Sequence, residues 1–246
     1  MPSRPEDWII PEWPVPERVR ALITSRNGGG STGPYASMNV GLRVGDDPGA
    51  VEANRRLLKH FLPAEPRWLD QVHGTTVVDA ETVAHPVQAD ASVTKIPGCV
   101  GVVMVADCLP ILFADRSGSA VAAAHAGWRG LAGGIIENTV HALDTPPQNL
   151  FAYLGPAIGP SAFEVGNDVR DAFIAADPAA DLAFRPHKPG KWLADLFVLA
   201  RQRLARFGVR NVYGGGLCTY SSPARFFSHR RDKVSGRMAA LIWIED

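Results

Sequence analysis

The sequence predicts an α/β protein, a single domain of mixed β-sheets. Three observations carry that expectation. Short apolar runs rich in Val, Ile and Ala recur between turn residues, the pattern of buried strands. Longer stretches repeat apolar residues at helical spacing and begin on capping residues. Strands and helices interleave without a strict β-α-β rhythm, and no internal repeat or low-complexity linker divides the chain. The 246 residues are 46% hydrophobic and 20% charged, the composition of a folded protein with a substantial core.

The elements follow in order. Pro2 to Pro16 holds five prolines and two tryptophans, so residues 1–16 read as an extended arm ahead of one catalytic domain over 17–246. Arg18 to Thr24 alternates as a strand. Ser25 to Ser31 is a glycine loop carrying Arg26, and turns continue to Gly45. Asp46-Asp47-Pro48 starts a helix with Asp caps and Pro in its first turn. Val51, Leu57, Leu58, Phe61 and Leu62 give it an apolar face, and Pro63 ends it. Val77-Val78, Val100 to Val105, Ile111 to Phe113 and Ala120 to Ala124 read as strands. Gly127 to Leu143 reads as a helix, Leu150 to Leu154 as a strand, and Gly166 to Ala176 and Trp192 to Phe207 as helices. Leu193, Leu196, Phe197, Ala200 and Leu204 lie at helical spacing in the last of these, with Gly208 at its end. Asn211 to Tyr213 and Met238 to Ile244 close the chain as strands.

Composition narrows the function. Lys+Arg and Asp+Glu are both 25, so no global field draws the protein to nucleic acid or an anionic membrane. No apolar run reaches the roughly 18 residues of a membrane helix, and the N-terminus lacks the apolar stretch of a signal peptide. Three cysteines, Cys99, Cys108 and Cys218, are too few and odd for a disulfide framework and point to a reducing cytoplasm. A monomer is the default expectation.

Three segments carry chemistry: Trp68-Leu69-Asp70-Gln71-Val72-His73-Gly74, Ala106-Asp107-Cys108-Leu109-Pro110, and Ala124-His125-Ala126-Gly127-Trp128-Arg129-Gly130. Each sets one metal-competent side chain at a strand-to-turn junction, where a sheet edge can gather them. His73, Cys108 and His125 suit a tridentate zinc site with a position left for water. Their spacings of 35 and 17 residues match no zinc finger. Two core histidines with a buried thiol, or a Cys108 nucleophile with a His125 base, fit the same residues. Arg26, Arg129, Arg230 and Arg231 stand near glycines or polar turns, where a guanidinium fork can take phosphate or carboxylate.

Together these segments, with LGPAIGPSAFEVG and FFSHRRD followed by SGRMA, resemble the bacterial purine nucleoside phosphorylase family long labelled multicopper polyphenol oxidase or laccase-domain protein. The resemblance runs from about Arg18 to Trp243. It implies one domain, an α-β-β-α sandwich of mixed sheets between helices, with a fold similar to the cysteine-hydrolase-like fold of a deamidating toxin. It implies a metal held by His73, Cys108 and His125, normally zinc, with copper also claimed. It implies phosphorolysis of adenosine, inosine and methylthioadenosine, and hydrolytic deamination of adenosine, with a purine nucleoside and inorganic phosphate as partners. Arg26 matches the arginine of the family's Ser/Thr-Arg-x-Gly-Gly segment and is carried over as a phosphate or substrate contact. Asp70 stands where an amide is expected, and His229 where Tyr is frequent. Asp90, Asp107 and Glu164 are the candidate proton shuttles, Asp107 being nearest a ligand in sequence. The alternatives are a copper-dependent polyphenol oxidase, a Cys-His hydrolase or amidase editing peptidoglycan precursors, and a non-enzymatic binding domain.

Overall fold

Three sheets organise the chain in a computed structural model that describes residues 3–246. Met1 and Pro2, the start of the expected arm, lie outside the described residues. In chain order the elements are β1 (Val19–Ile23), α1 (Pro48–Lys59), β2 (Val77–Asp79), β3 (Ala91–Thr94), β4 (Gly101–Val105), β5 (Leu109–Asp115) and β6 (Val121–Ala126). Then come α2 (Trp128–Gly133), α3 (Ile135–Leu143), β7 (Leu150–Leu154), β8 (Glu164–Gly166), α4 (Asn167–Ala176), β9 (Phe184–Lys188) and β10 (Lys191–Ala194). The chain ends through α5 (Leu196–Arg206), β11 (Asn211–Gly214), α6 (His229–Asp232) and β12 (Met238–Ile244).

The largest sheet runs β11-β7-β5-β6-β3-β2. It is mixed: its outer pairs, β11 with β7 and β2 with β3, are parallel and the inner ones antiparallel. An antiparallel sheet β1-β12-β4 faces it, and a small antiparallel sheet β8-β10-β9 stands apart. Side-chain alternation sorts the core into layers. Leu109, Ile111 and Phe113 of β5 pack under α2 to α5, while Leu112 and Ala114 meet Val103, Ala240 and Ile242 between the sheets. The far face of the three-stranded sheet, Val102, Leu241 and Trp243, is covered by Leu58 of α1 and by Trp8 of the arm. The order of layers is helix, sheet, sheet, helix.

Residues 3–16 are fastened to this body. Trp8 is buried and donates from Nε1 to Asn27 O, and Ile9 pairs with Ile23. α1 starts as its sequence dictates, with Asp47 accepting from Ala50 N.

Two helix expectations need correction. The stretch from Gly127 to Leu143 is two helices, because Gly134 adopts φ 105° between them. Trp192 to Ala194 is strand rather than helix: Trp192 pairs with Val165 and Pro186, and Asp195 caps α5 by accepting from Phe197 N and Val198 N. β3 and the small third sheet were not anticipated.

Register places the chemistry. Leu109 opposes Ala126 and Pro110 opposes His125, so the start of β5 lies beside the end of β6. Cys108, one residue before β5, therefore meets His125 at one sheet edge.

Candidate metal centre and its basic pocket

His73 arrives from the loop ahead of β2, Cys108 from the turn between β4 and β5, and His125 from the end of β6. Their ligand atoms all lie within 4.8 Å of one another, and Cys108 Sγ is 3.7 Å from His73 Nε2. His125 is buried, Cys108 half-buried and His73 exposed, so the cluster opens on one side. Two imidazoles and a thiolate converging with an open face fit a single zinc or copper ion with room for a further ligand.

Each member is held from behind. Asp90, fully buried, accepts from His125 Nδ1 at 2.8 Å, from His73 N at 2.9 Å and from Gly74 N at 2.6 Å. One carboxylate thus orients His125, leaving its Nε2 for the cluster, and clamps the turn in which His73 takes φ 61°. Burial would raise the Asp90 carboxyl, but the hydrogen bonds from His125 and from the Gly74 and Val72 amides hold it below the usual carboxylate range. Gln71 pins the same loop to β4, donating to Met104 O and accepting from Met104 N.

Asp107 also has positive φ, at 95°. Its two oxygens accept from Thr219 Oγ1 and Arg230 N, both at 2.6 Å, and its carbonyl accepts from Ile158 N. It joins Cys108 to the start of α6. Burial favours the neutral Cys108 thiol, yet the charge and hydrogen bond of His125, with the hydrogen bond of His73, bring it down to about 6. Burial opposes a charge on His125 as well, and the Cys108 thiolate and Asp90 raise it to about 9. Each charge favours the other, so both shifts lean toward a thiolate facing an imidazolium.

The cluster forms part of the wall of a cavity of about 680 Å³. Six cations reach that cavity, Arg43, Arg55, Arg129, Arg230, Lys233 and Arg237, against the carboxylates Asp70 and Asp107. Arg55 stacks on Trp68 at 3.8 Å, and burial pulls its guanidinium down to about 10, so it remains charged at neutral pH. Asp70 forms an ion pair with Arg43 on the rim, which uses its charge away from the cluster. His229 lines the cavity too.

Not every expected residue arrives. The Arg26 guanidinium donates to Ala36 O and Pro223 O and lies over the Phe227 ring, outside the cavity lining; it braces the glycine loop. The Glu164 carboxylate points to His187 and Lys188 on the outer sheet, and only its carbonyl reaches toward the site, accepting from Arg230. Arg231 is spent on Asp232 and on the carbonyls of Thr219, Tyr220 and Phe226. Sequence reading missed Arg55, Lys233 and Arg237, whose place in the pocket depends on long-range packing.

The sequence profile of the family described as multi-copper polyphenol oxidoreductase laccase matches residues 20–245. A protein of Pseudomonas aeruginosa named purine nucleoside phosphorylase is 55% identical over 97% of this chain and 99% of its own length. The Escherichia coli purine nucleoside phosphorylase YfiH is 52% identical over 96% and 98%. Among solved structures, a Neisseria meningitidis protein superposes with TM-score 0.96 at 51% identity, covering 98% of this chain and all of its own. YlmD of Geobacillus stearothermophilus gives TM-score 0.87 at 36% identity, covering 94% and 93%. With a matching fold, a matching profile and relatives similar along nearly their whole length, the chain belongs to the laccase-like multi-copper polyphenol oxidoreductase family, within which these curated relatives are named purine nucleoside phosphorylases.

Proposed function

We propose that this protein is a zinc-dependent purine nucleoside phosphorylase. It converts adenosine, inosine and methylthioadenosine, with inorganic phosphate, into free base and ribose- or methylthioribose-1-phosphate. It also deaminates adenosine to inosine. The observation that carries the reading is the union of the His73-Cys108-His125 cluster with a cavity whose cations outnumber its carboxylates. The names of the relatives support purine nucleosides and phosphate as the substrate class. We place the enzyme in the cytoplasm as a monomer, with neither nucleic acid nor a membrane as partner; among the described residues no helix is long and apolar enough to cross one.

In phosphorolysis a phosphate oxygen bonds to ribose C1′ as the C1′–N bond breaks, and the electron pair leaves with the purine, which takes up a proton. His73, Cys108 and His125 would hold the zinc, which when bound would supply Lewis acidity. Asp90 keeps His125 in the tautomer that presents Nε2. Arg129 and Arg230 attract and align the phosphate. Trp68 and Phe163, both buried in the cavity wall, back the guanidinium groups of Arg55 and Arg230. Asp107 acts by position, because its oxygens are engaged by Thr219 and Arg230.

Two rivals are weaker on this geometry. Among the described residues there is one group of three metal-competent side chains, too few ligands for a multicopper cluster. A Cys-His hydrolase on a cysteine-hydrolase-like fold needs only Cys108 and His125, and the approach of His73 to the sulfur favours ligation. Chromatography of adenosine incubated with phosphate and the metal-loaded protein tests the reading. Adenine with ribose-1-phosphate, and inosine, are the expected products. Cys108→Ala is expected to lose the metal and both activities. No product from metal-loaded protein, or full turnover in Cys108→Ala, would refute it.

A further inference from the structure

Among the described residues four non-glycine residues have positive φ: His73, Asp107, Asp144 and Lys233. Asp144 closes α3, where a left-handed cap is ordinary. The other three all line the same cavity. His73 and Asp107 are explained by the cluster; Lys233 is not. Its φ of 62° and ψ of −55°, closed by Val234 N donating to Asp232 O at 2.7 Å, form a tight three-residue turn that lysine adopts at a cost and glycine would adopt freely. A costly backbone that delivers one long cation to the cavity calls for a use of that cation.

The bonding of the other cations sharpens the point. Arg43 is paired with Asp70. Arg55 donates to Val40 O and Met104 Sδ, Arg230 to Glu164 O, and Arg237 to Ser235 O and Gly236 O. Only Arg129, exposed over the Trp128 ring, and Lys233, also exposed, have side chains with no acceptor among the described residues. They are the cavity cations with every side-chain donor free among the described residues.

We infer that Lys233 is an anion-binding residue of the pocket and holds the phosphate co-substrate together with Arg129. The inference rests on the phosphorolytic reading for the identity of the anion. The α6 turn, tied through Arg230 N to Asp107 next to Cys108, gives the backbone of Lys233 a set place relative to the metal ligands. A lysine suits this task as a compact charge on a flexible stem that can follow phosphate from entry to attack.

The test compares Lys233→Gln, Lys233→Gly and Lys233→Arg in the metal-loaded enzyme. The readouts are phosphate KM, nucleoside KM, calorimetric binding of inorganic phosphate, and Tm. Loss of the charge in the Gln and Gly variants is expected to raise phosphate KM and Kd about tenfold, with nucleoside KM unchanged. Lys233→Arg should recover most of the affinity. Lys233→Gly should also melt about 2 °C higher, because the turn strain is gone. Unchanged phosphate binding in the Gln and Gly variants overturns the inference. So does a Gly variant that melts lower and loses nucleoside and phosphate binding alike, the mark of a structural role. If the wild type binds phosphate through Lys233 but splits no nucleoside, the phosphorolytic reading fails and the anion site stands. If it splits nucleosides with a phosphate KM indifferent to Lys233, the reverse holds.

Discussion

Gly127 shows how little freedom the cluster has. A Cβ at this position would lie 3.0 Å from Cys108 Sγ and 3.0 Å from His73 Cδ2. Gly127→Ala must push both ligands, at about 1–3 kcal/mol of stability, and competition with a chromogenic chelator should show metal affinity falling more than tenfold. Asp90 binds the cluster at a second point. Asn in its place turns an amide NH2 toward N–H donors, so Asp90→Asn should weaken metal binding about 10–100-fold. Equal affinity in that variant would remove Asp90 from the account. The thiol offers a pH readout. In the metal-stripped protein Cys108 is brought down to about 6, so its thiolate fraction rises with pH through that value. Site-resolved alkylation by iodoacetamide should climb between about pH 5 and 7 and then level off, whereas an ordinary thiol keeps climbing past about pH 8.

At the scale of elements, local chemistry decided some boundaries and long-range pairing decided others. Asp47 before Pro48 announces α1, and the apolar runs announce β4 to β7, because cap and core signals there agree. Trp192 and Leu193 continue the helical periodicity of α5 backwards, yet β10 takes them, since pairing with β8 and β9 outweighs a spacing pattern. The true start was signalled by Asp195, whose carboxylate accepts from two amides. Asp195→Ala should cost about 1 kcal/mol and about 2–4 °C in Tm, with turnover unchanged, since the cap lies outside the cavity. β3 escaped notice because Ala91-Ser92-Val93-Thr94 is short and only partly apolar. β9 escaped because four of its five residues are exposed.

Across the whole molecule, the ligand types could be read from motifs, but their supports could not. Cys108 and His125 stand at strand ends that sequence can mark, whereas His73 sits in the loop ahead of β2 rather than at the strand end its motif suggested. Thr219 and Arg230, which hold Asp107, lie 112 and 123 residues away from it, and no local pattern joins them. Arg26 illustrates the reverse: a glycine-rich context draws attention to a guanidinium that the fold uses to tie residues 36 and 223 together. Because the three ligands come from separate parts of the chain, metal binding is coupled to folding. Zinc in large excess over its Kd should raise Tm by about 10 °C, and Cys108→Ala should show no such response.

The most direct test restores zinc stepwise to chelator-stripped protein and follows phosphorolysis of inosine. One centre per chain predicts a rate that climbs linearly and breaks at one equivalent. A rate independent of added metal, or a break at several equivalents, would contradict a single His73-Cys108-His125 centre as the seat of the reaction.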